Sequence, residues 1–458
     1  MIFATLGMFL PLLLPSAAQA LLGPTNPPWE PTYNLSMSSI SMQCNGTGFS
    51  DAVRGGEFGI ISYDWSNDKL DWASAQPMDC EERLTTQALA TKSANAAAKV
   101  FVYRNVVKAL PWFTSVRKIL DDPAYSGFFL RFADDIETEV PRCAAEDESK
   151  CSVFYHDQMQ TPAVPTSENP SPDGSCAPVE EGGCNTGLNP TGEYLFDHRN
   201  GTQLRNWLIT NHVINTDTGV GHPSIDGLFM DDFWCSTLLC EEQPDAGLPC
   251  PCTDPVQGAT EVDAGQQKDM GLSDEDIKDI TVAWMENMGA IQQAILDKGA
   301  YTWSLMKNQG YANASPQQVT HKSCSTMLRT ACVADSDWQT KSNLFGLTVA
   351  DNAPSQLEED VAFFLLARGP YAWLGWGVWG MTWPFNPEPA HGELPPLPNG
   401  VPRPDLIDED FGEPVGLCRE VADGVFDREW TSGTVSLDCN SFTSSLPKQK
   451  EKNVAVLL

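Results

Sequence analysis

The stretch Ile225-Asp-Gly-Leu-Phe-Met-Asp231-Asp232 ends an apolar run on two adjacent carboxylates. Carboxyl pairs cleave glycosidic bonds: one protonates the leaving oxygen, the other acts as base or nucleophile, and their separation decides between inversion and retention. A carboxylate at the end of a buried strand is costly unless it is hydrogen-bonded, paired or shifted in pKa. Side chains alternate along a strand, so only one of Asp231 and Asp232 faces a given side unless the strand has already ended. Asp231 is the favoured nucleophile or base. Asp226, just ahead of Gly227, reads as structural.

Other apolar runs end in related groups: Tyr63 and Asp64, Arg104 and Asn105, Asp197, Trp303, Asp351 with Asn352, and Trp376 with Trp379. Asp231, Asp232, Asp64 and Asp351 form the candidate catalytic set. Tyr63, Arg104, Asn105, Asp197, Trp303, Trp376 and Trp379 form the candidate substrate-binding set, with aromatic faces for stacking on sugar rings. Plainer readings compete at each position. Asp64 holds a loop, Asp197 caps a helix, Arg104 pairs with Asp64 or Asp231, and half of the tryptophans pack the core.

These residues need a frame. Glu57–Asp64 reads as a strand, Cys80–Ala98 as a helix and Lys99–Asn105 as a second strand. Such a unit implies parallel strands with a helical crossover. Tyr194–Asp197, a helix over Thr202–Asn211 and Ile225–Asp231 repeat the cycle. The most secure helix is Ser273–Lys298, which opens on a capping sequence and spaces Ile277, Ile280, Trp284, Met288 and Ile291 along one face. Strands at Tyr301–Met306, Phe345–Ala350 and Tyr371–Trp376 follow, the last after a helix over Ser355–Arg368. That makes seven strands, and Gly424–Asp427 with Thr434–Leu437 supplies an eighth and a closing hairpin. The expected fold is α/β, a (β/α)8 TIM-type barrel with long disulfide-tied loops and a short C-terminal β extension. No glycine-rich phosphate loop follows the first strand, which disfavours a nucleotide-binding sheet. The barrel would span 21–423, with insertions at about 133–190, 235–272 and 384–412, and C-terminal strands and tail over 424–458.

Residues 1–20 read as a secretory signal, an apolar run ending in Ala18-Gln19-Ala20. Secretion makes the fourteen cysteines an even set for up to seven bridges. Cys235, Cys240, Cys250 and Cys252 lack zinc-site spacing and read as disulfides that pin a loop. Sequons at Asn34, Asn45, Asn200 and Asn313 fit the same compartment. A formal net charge of −33 excludes a binder of nucleic acid or of an anionic membrane surface. No later segment is apolar for long enough to cross a bilayer.

KVFVYRN (Lys99 to Asn105), YLFDHRNGTQLRNWLI (Tyr194 to Ile209), IDGLFMDDF (Ile225 to Phe233), EEDVAFFLLARGPYAWLGW (Glu358 to Trp376), and DFGEPVG with GVFDREWTSGTVSL (Asp410 to Leu437) resemble, in this order, a family of hypothetical glycosyl-hydrolase-like barrel proteins. The resemblance implies a (β/α)8 barrel acting on polysaccharide or oligosaccharide, with Asp231 as the strand-end aspartate of the family's pattern and extra strands from Gly424 onward. The Cys-rich insertions and the Asp-Asp pair depart from the family's plain pattern, and no motif fixes the second carboxyl.

The leading expectation is a secreted glycoside hydrolase, cofactor-free, in which Asp64 or Asp351 partners Asp231. An inactive secreted carbohydrate-binding or cell-surface barrel is the alternative. A metal-dependent phosphoesterase using Asp231, Asp232 and His156 or His198 ranks third.

Overall fold

The computed structural model describes residues 26–43, 45–46, 48–75, 77–120, 122–133, 154–157, 193–243, 262, 264–303, 321–340, 343–347, 356–376, 380–382 and 401–447. The signal segment, Asp351, Asn352, Trp379, Asn313 and most of the three insertions lie outside these residues.

The protein is a mixed α/β structure around parallel strands. β1 (Ile40–Gln43), β2 (Ile60–Tyr63), β3 (Lys99–Asn105), β4 (Gly227–Asp231) and β5 (Tyr301–Trp303) form one five-stranded sheet in chain order. Every pairing in it is parallel. β6 (Asn343–Leu347) and β7 (Ala372–Trp376) form a parallel pair, and a bridge from Ser39 to Leu374 sets β7 beside β1. The strands therefore run in the order β6-β7-β1-β2-β3-β4-β5. Among the described residues no pairing joins β5 to β6, so the circuit is not closed.

Two sequence expectations change here. Tyr194–Asp197 does not join the parallel sheet: Glu193–Leu195 pairs antiparallel with Lys108–Ala109 and His156–Asp157. The chain leaves β3 and returns at the same end of the sheet, which makes an antiparallel match the natural one. An unexpected strand, β1, joins elsewhere, between β7 and β2; it is short and Ser-containing, with no apolar run to announce it, although all four of its residues are buried. The C-terminal segment supplies no eighth strand to the parallel set. β8 (Arg419–Ala422), β9 (Val425–Trp430), β10 (Gly433–Asp438) and β11 (Thr443–Ser445) pair with one another in an antiparallel meander.

Helices cover the parallel strands. α1 (Cys80–Ala94) links β2 to β3, and α2 (Thr114–Leu120) follows β3. α3 (Thr202–Trp207) continues into a π turn over Leu208–Val213. α4 (Asp274–Asp297) starts at the expected capping box, with Ser273 and Asp276 bonding each other's backbone, and buries its apolar stripe. α5 (His321–Ala331) and α6 (Leu357–Ala367) follow. Every residue of α6 from Asp360 to Ala367 is buried, because the C-terminal meander packs over it. Alternation along β9 turns Phe426, Arg428 and Trp430 inward. Disulfides Cys324–Cys439 and Cys332–Cys418 fasten the meander to the α5 region, and Arg329 bridges to Glu420 and Asp423 beside them. Cys235 and Cys240 are also disulfide-bonded, whereas Cys80 is a free, buried thiol. Among the described residues no helix is long and apolar enough to cross a membrane.

Candidate active site

Parallel pairing fixes which side chains share a face. Asn105 sits level with Asp231, and Tyr103 with Phe229. Tyr103, Asn105, Phe229 and Asp231 therefore face one side, and Arg104 and Met230 the other. On the first side a chain of hydrogen bonds joins two carboxylates. Tyr103 Oη donates to Asp231 Oδ2 at 3.0 Å. Asn105 Nδ2 donates to Tyr103 Oη at 3.0 Å and to Asp232 Oδ2 at 2.6 Å.

Both aspartates reach this network because the strand stops between them. β4 ends at Asp231, and Asp232 takes a left-handed φ of 57°. Aspartate is among the few non-glycine residues that adopt this conformation readily, and the turn swings the second carboxylate onto the same side as the first. Asn105 is itself held firmly: its Oδ1 accepts from the backbone N–H groups of Val107 and Lys108. Lys108 leans in from the short antiparallel segment, 2.7 Å from Glu193 and 3.6 Å from Asp232. Asp64, at the end of β2, is buried and accepts from the Ser66 amide and hydroxyl.

The electrostatics follow from burial and crowding. Burial first, then repulsion from Asp232, pushes the Asp231 carboxyl up to about 7, against hydrogen bonds from the Asp232 amide and Tyr103. Burial also raises Asp64, with the Ser66 hydrogen bonds and Lys69 opposing. Burial, Asp231 and Asp232 raise the Tyr103 phenol far above its usual range, so it remains a donor. Burial works against the Lys108 ammonium, but Asp232 and Glu193 outweigh it and keep it charged.

The structure thus brings together Asp64, Asn105, Asp231 and Asp232 from the sequence candidates. It places the others elsewhere. Tyr63 points to the helix side and bonds Thr91 Oγ1 of α1 at 2.7 Å. Arg104, wholly buried, donates to the carbonyls of Tyr103, His212 and Thr218. Its carboxylate neighbour is Glu81, 3.7 Å away, and not Asp64 or Asp231 as the sequence suggested, because alternation along β3 aims it at the opposite face. Glu81 also accepts from the Ser115 amide and hydroxyl. Burial opposes its charge, but His212 and Arg104 hold its carboxyl down at about 2. Asp197 caps a 3-10 turn and pairs with Arg199 on the surface. Trp376 is buried, its indole N–H on Asp360 at 2.8 Å. Trp303 ends β5, and its side chain is outside the described set, as are Asp351 and Trp379.

Tyr103, Lys108 and Glu193 were missed. Tyr103 was legible, since it lies two residues before Asn105 on a strand. Lys108 and Glu193 carried no signal, because a long insertion separates them in sequence. Among the described residues no group of three or more His, Cys, Asp and Glu lies close enough to hold a metal ion. His198 bonds the Val106 carbonyl through Nε2 and Asn287 through Nδ1, and burial lowers it to about 4. Comparison of the chain with protein-family models and with curated proteins finds no match.

Proposed function

We propose that the protein is a secreted glycoside hydrolase whose parallel strands close into a (β/α)8 barrel, with Asp231 as proton donor and Asp232 or Asp64 as the second carboxyl. One observation carries the reading: Asp231, pushed up to about 7 at the C-terminal end of a parallel strand, is linked through Tyr103 and Asn105 to Asp232. The C-terminal strand ends are where barrel enzymes keep their chemistry. An acid for leaving-group protonation works best with a pKa near the working pH. The resemblance of KVFVYRN and IDGLFMDDF to hydrolase-like barrels points the same way, and the disulfides fit secretion.

In this scheme Asp231 gives its proton to the glycosidic oxygen as the bond from that oxygen to the anomeric carbon breaks. The ionised partner meets the positive charge that develops on the sugar, directly as nucleophile or through a water it deprotonates. Asn105 fixes Asp232 in place, and Tyr103 holds Asp231 through Oδ2.

The test is reducing-end release from neutral, acidic and amino polysaccharides by wild type and Asp231→Asn at matched folding. Cleavage lost in the variant supports the proposal. A wild type that binds a glycan but cleaves none of them would sink it in favour of a binding protein.

A further inference from the structure

The asparagines of three of the four sequons are described residues, and the fold treats them differently. Asn45 is 1% exposed, and its Nδ2 donates to the Phe49 carbonyl at 3.1 Å. A glycan linked there would have to enter the protein interior, so a chain that carries it cannot reach this fold. Asn200 Nδ2 donates to the Gly127 carbonyl at 2.7 Å. It is also packed so closely that a methyl placed on Gly127 would lie 2.9 Å from it.

Asn34 is the opposite case. It is exposed, and it stands in the loop just before the 3-10 turn Ser36–Ser38 that leads into β1. Its Oδ1 accepts from the Met37 amide at 3.1 Å and from the Ser36 hydroxyl at 2.8 Å. These bonds engage the carbonyl side of the carboxamide and leave Nδ2 for solvent. Ser36 is also the hydroxyl residue of the sequon, so the folded loop keeps the recognition pair side by side. The loop is anchored from below, where the buried Arg368 donates to the carbonyls of Thr32 and Tyr33.

We infer that Asn34 is an N-glycosylation site of the folded protein, carrying an oligosaccharide received from a lipid pyrophosphate donor, and that Asn45 and Asn200 are unmodified. In the transfer Asn34 Nδ2 bonds to the anomeric carbon of the donor's first sugar. The bond from that carbon to the pyrophosphate oxygen breaks, Nδ2 loses one proton, and the lipid pyrophosphate leaves. The linkage lies at the start of β1, away from the carboxylates at the strand ends, so the glycan leaves the candidate site open.

The inference rests on the secretion part of the proposed function, and the test separates the two. The full chain is expressed in a eukaryotic host twice, once with its own first twenty residues and once behind the host's secretion leader. Folded, secreted protein is treated with a peptide N-glycosidase in heavy-oxygen water, and the peptides are read by mass spectrometry. With the host leader, the expected result is Asn34 converted to heavy-labelled Asp and Asn45 and Asn200 recovered unchanged. Asn34→Gln then loses the part of the mobility shift that one glycan carries. Unmodified Asn34 in that protein, or a glycan on Asn45 or Asn200, overturns the inference. Retention in the cytosol only with the native leader overturns the secretion reading and leaves the Asn34 result standing.

Discussion

Two of the places where the molecule buries charge do so by opposite means. Under the C-terminal meander, Arg428 donates to the carbonyls of Gly416, Leu365, Leu366 and Arg368, so its guanidinium satisfies the C-terminal end of α6 and is attracted by that helix's dipole. At the ends of β2 and β4, by contrast, Asp64, Asp231 and Asp232 crowd one another, and Asp232 takes a left-handed backbone. In the first place neutral carbonyl dipoles meet a cation, whose Nε and Nη1 donate to four of them. In the second, like charges meet and one must hold a proton. The first arrangement holds the protein together; the second costs stability and is the kind that persists where chemistry needs it.

If that contrast is right, substitutions in the two regions have opposite signatures. The largest effect is expected from Asp231→Asn: a loss of about 100- to 10,000-fold in kcat, the span of a positioned general acid, with a gain in stability above pH 7. The gain follows from the raised value. Asp231's contribution to stability is fully present below its ordinary value of 3.8 and is lost as pH rises through about 7, so Asn removes a penalty that grows with pH. Urea unfolding at pH 8 that shows the variant weaker than wild type would break the comparison. Wild-type kcat/KM should fall as pH rises through about 7, where Asp231 gives up its proton.

Next comes the double replacement Cys324→Ala with Cys332→Ala, which frees the meander. With both bridges gone the chain-entropy cost exceeds the about 4–5 kcal/mol that a single loop of this size carries, read as a lower urea midpoint. Either single replacement costs less, because the remaining nested bridge keeps the effective loop short. Arg428→Met should cost about 3 kcal/mol by leaving buried carbonyls without a donor, while the pH dependence of activity stays unchanged. Tyr103→Phe should be the mildest, about 1 kcal/mol in transition-state stabilisation. It removes the phenol's hydrogen bond to the Asp231 carboxylate, so the fall in activity should move to higher pH.

Much of the frame was legible because apolar runs and capping residues are local signals. Lys99–Asn105 and Ser273–Lys298 were found almost to the residue. β1 was not, since Ile40-Ser-Met-Gln43 is buried by its neighbours on both sides and not by its own hydrophobicity. At the site, Asp231, Asp232, Asp64 and Asn105 were named because strands that end on polar groups stand out. Lys108 and Glu193 were invisible, as they meet only through antiparallel pairing across an insertion. The cysteine count was read as up to seven bridges. With Cys80 free, the remaining thirteen of fourteen cannot all pair within one chain, so thiol titration of the denatured monomer should find at least two.

The position of β1 bears on how the chain is made. The first strand to be synthesised is flanked on one side by β2, which follows at once, and on the other by β7, which emerges after every other parallel strand. Through most of translation β1 is therefore an open edge with unpaired amides and carbonyls, the feature on which nascent chains aggregate. The parallel set is completed only when β7 reaches β1, which joins an early and a late part of the polypeptide.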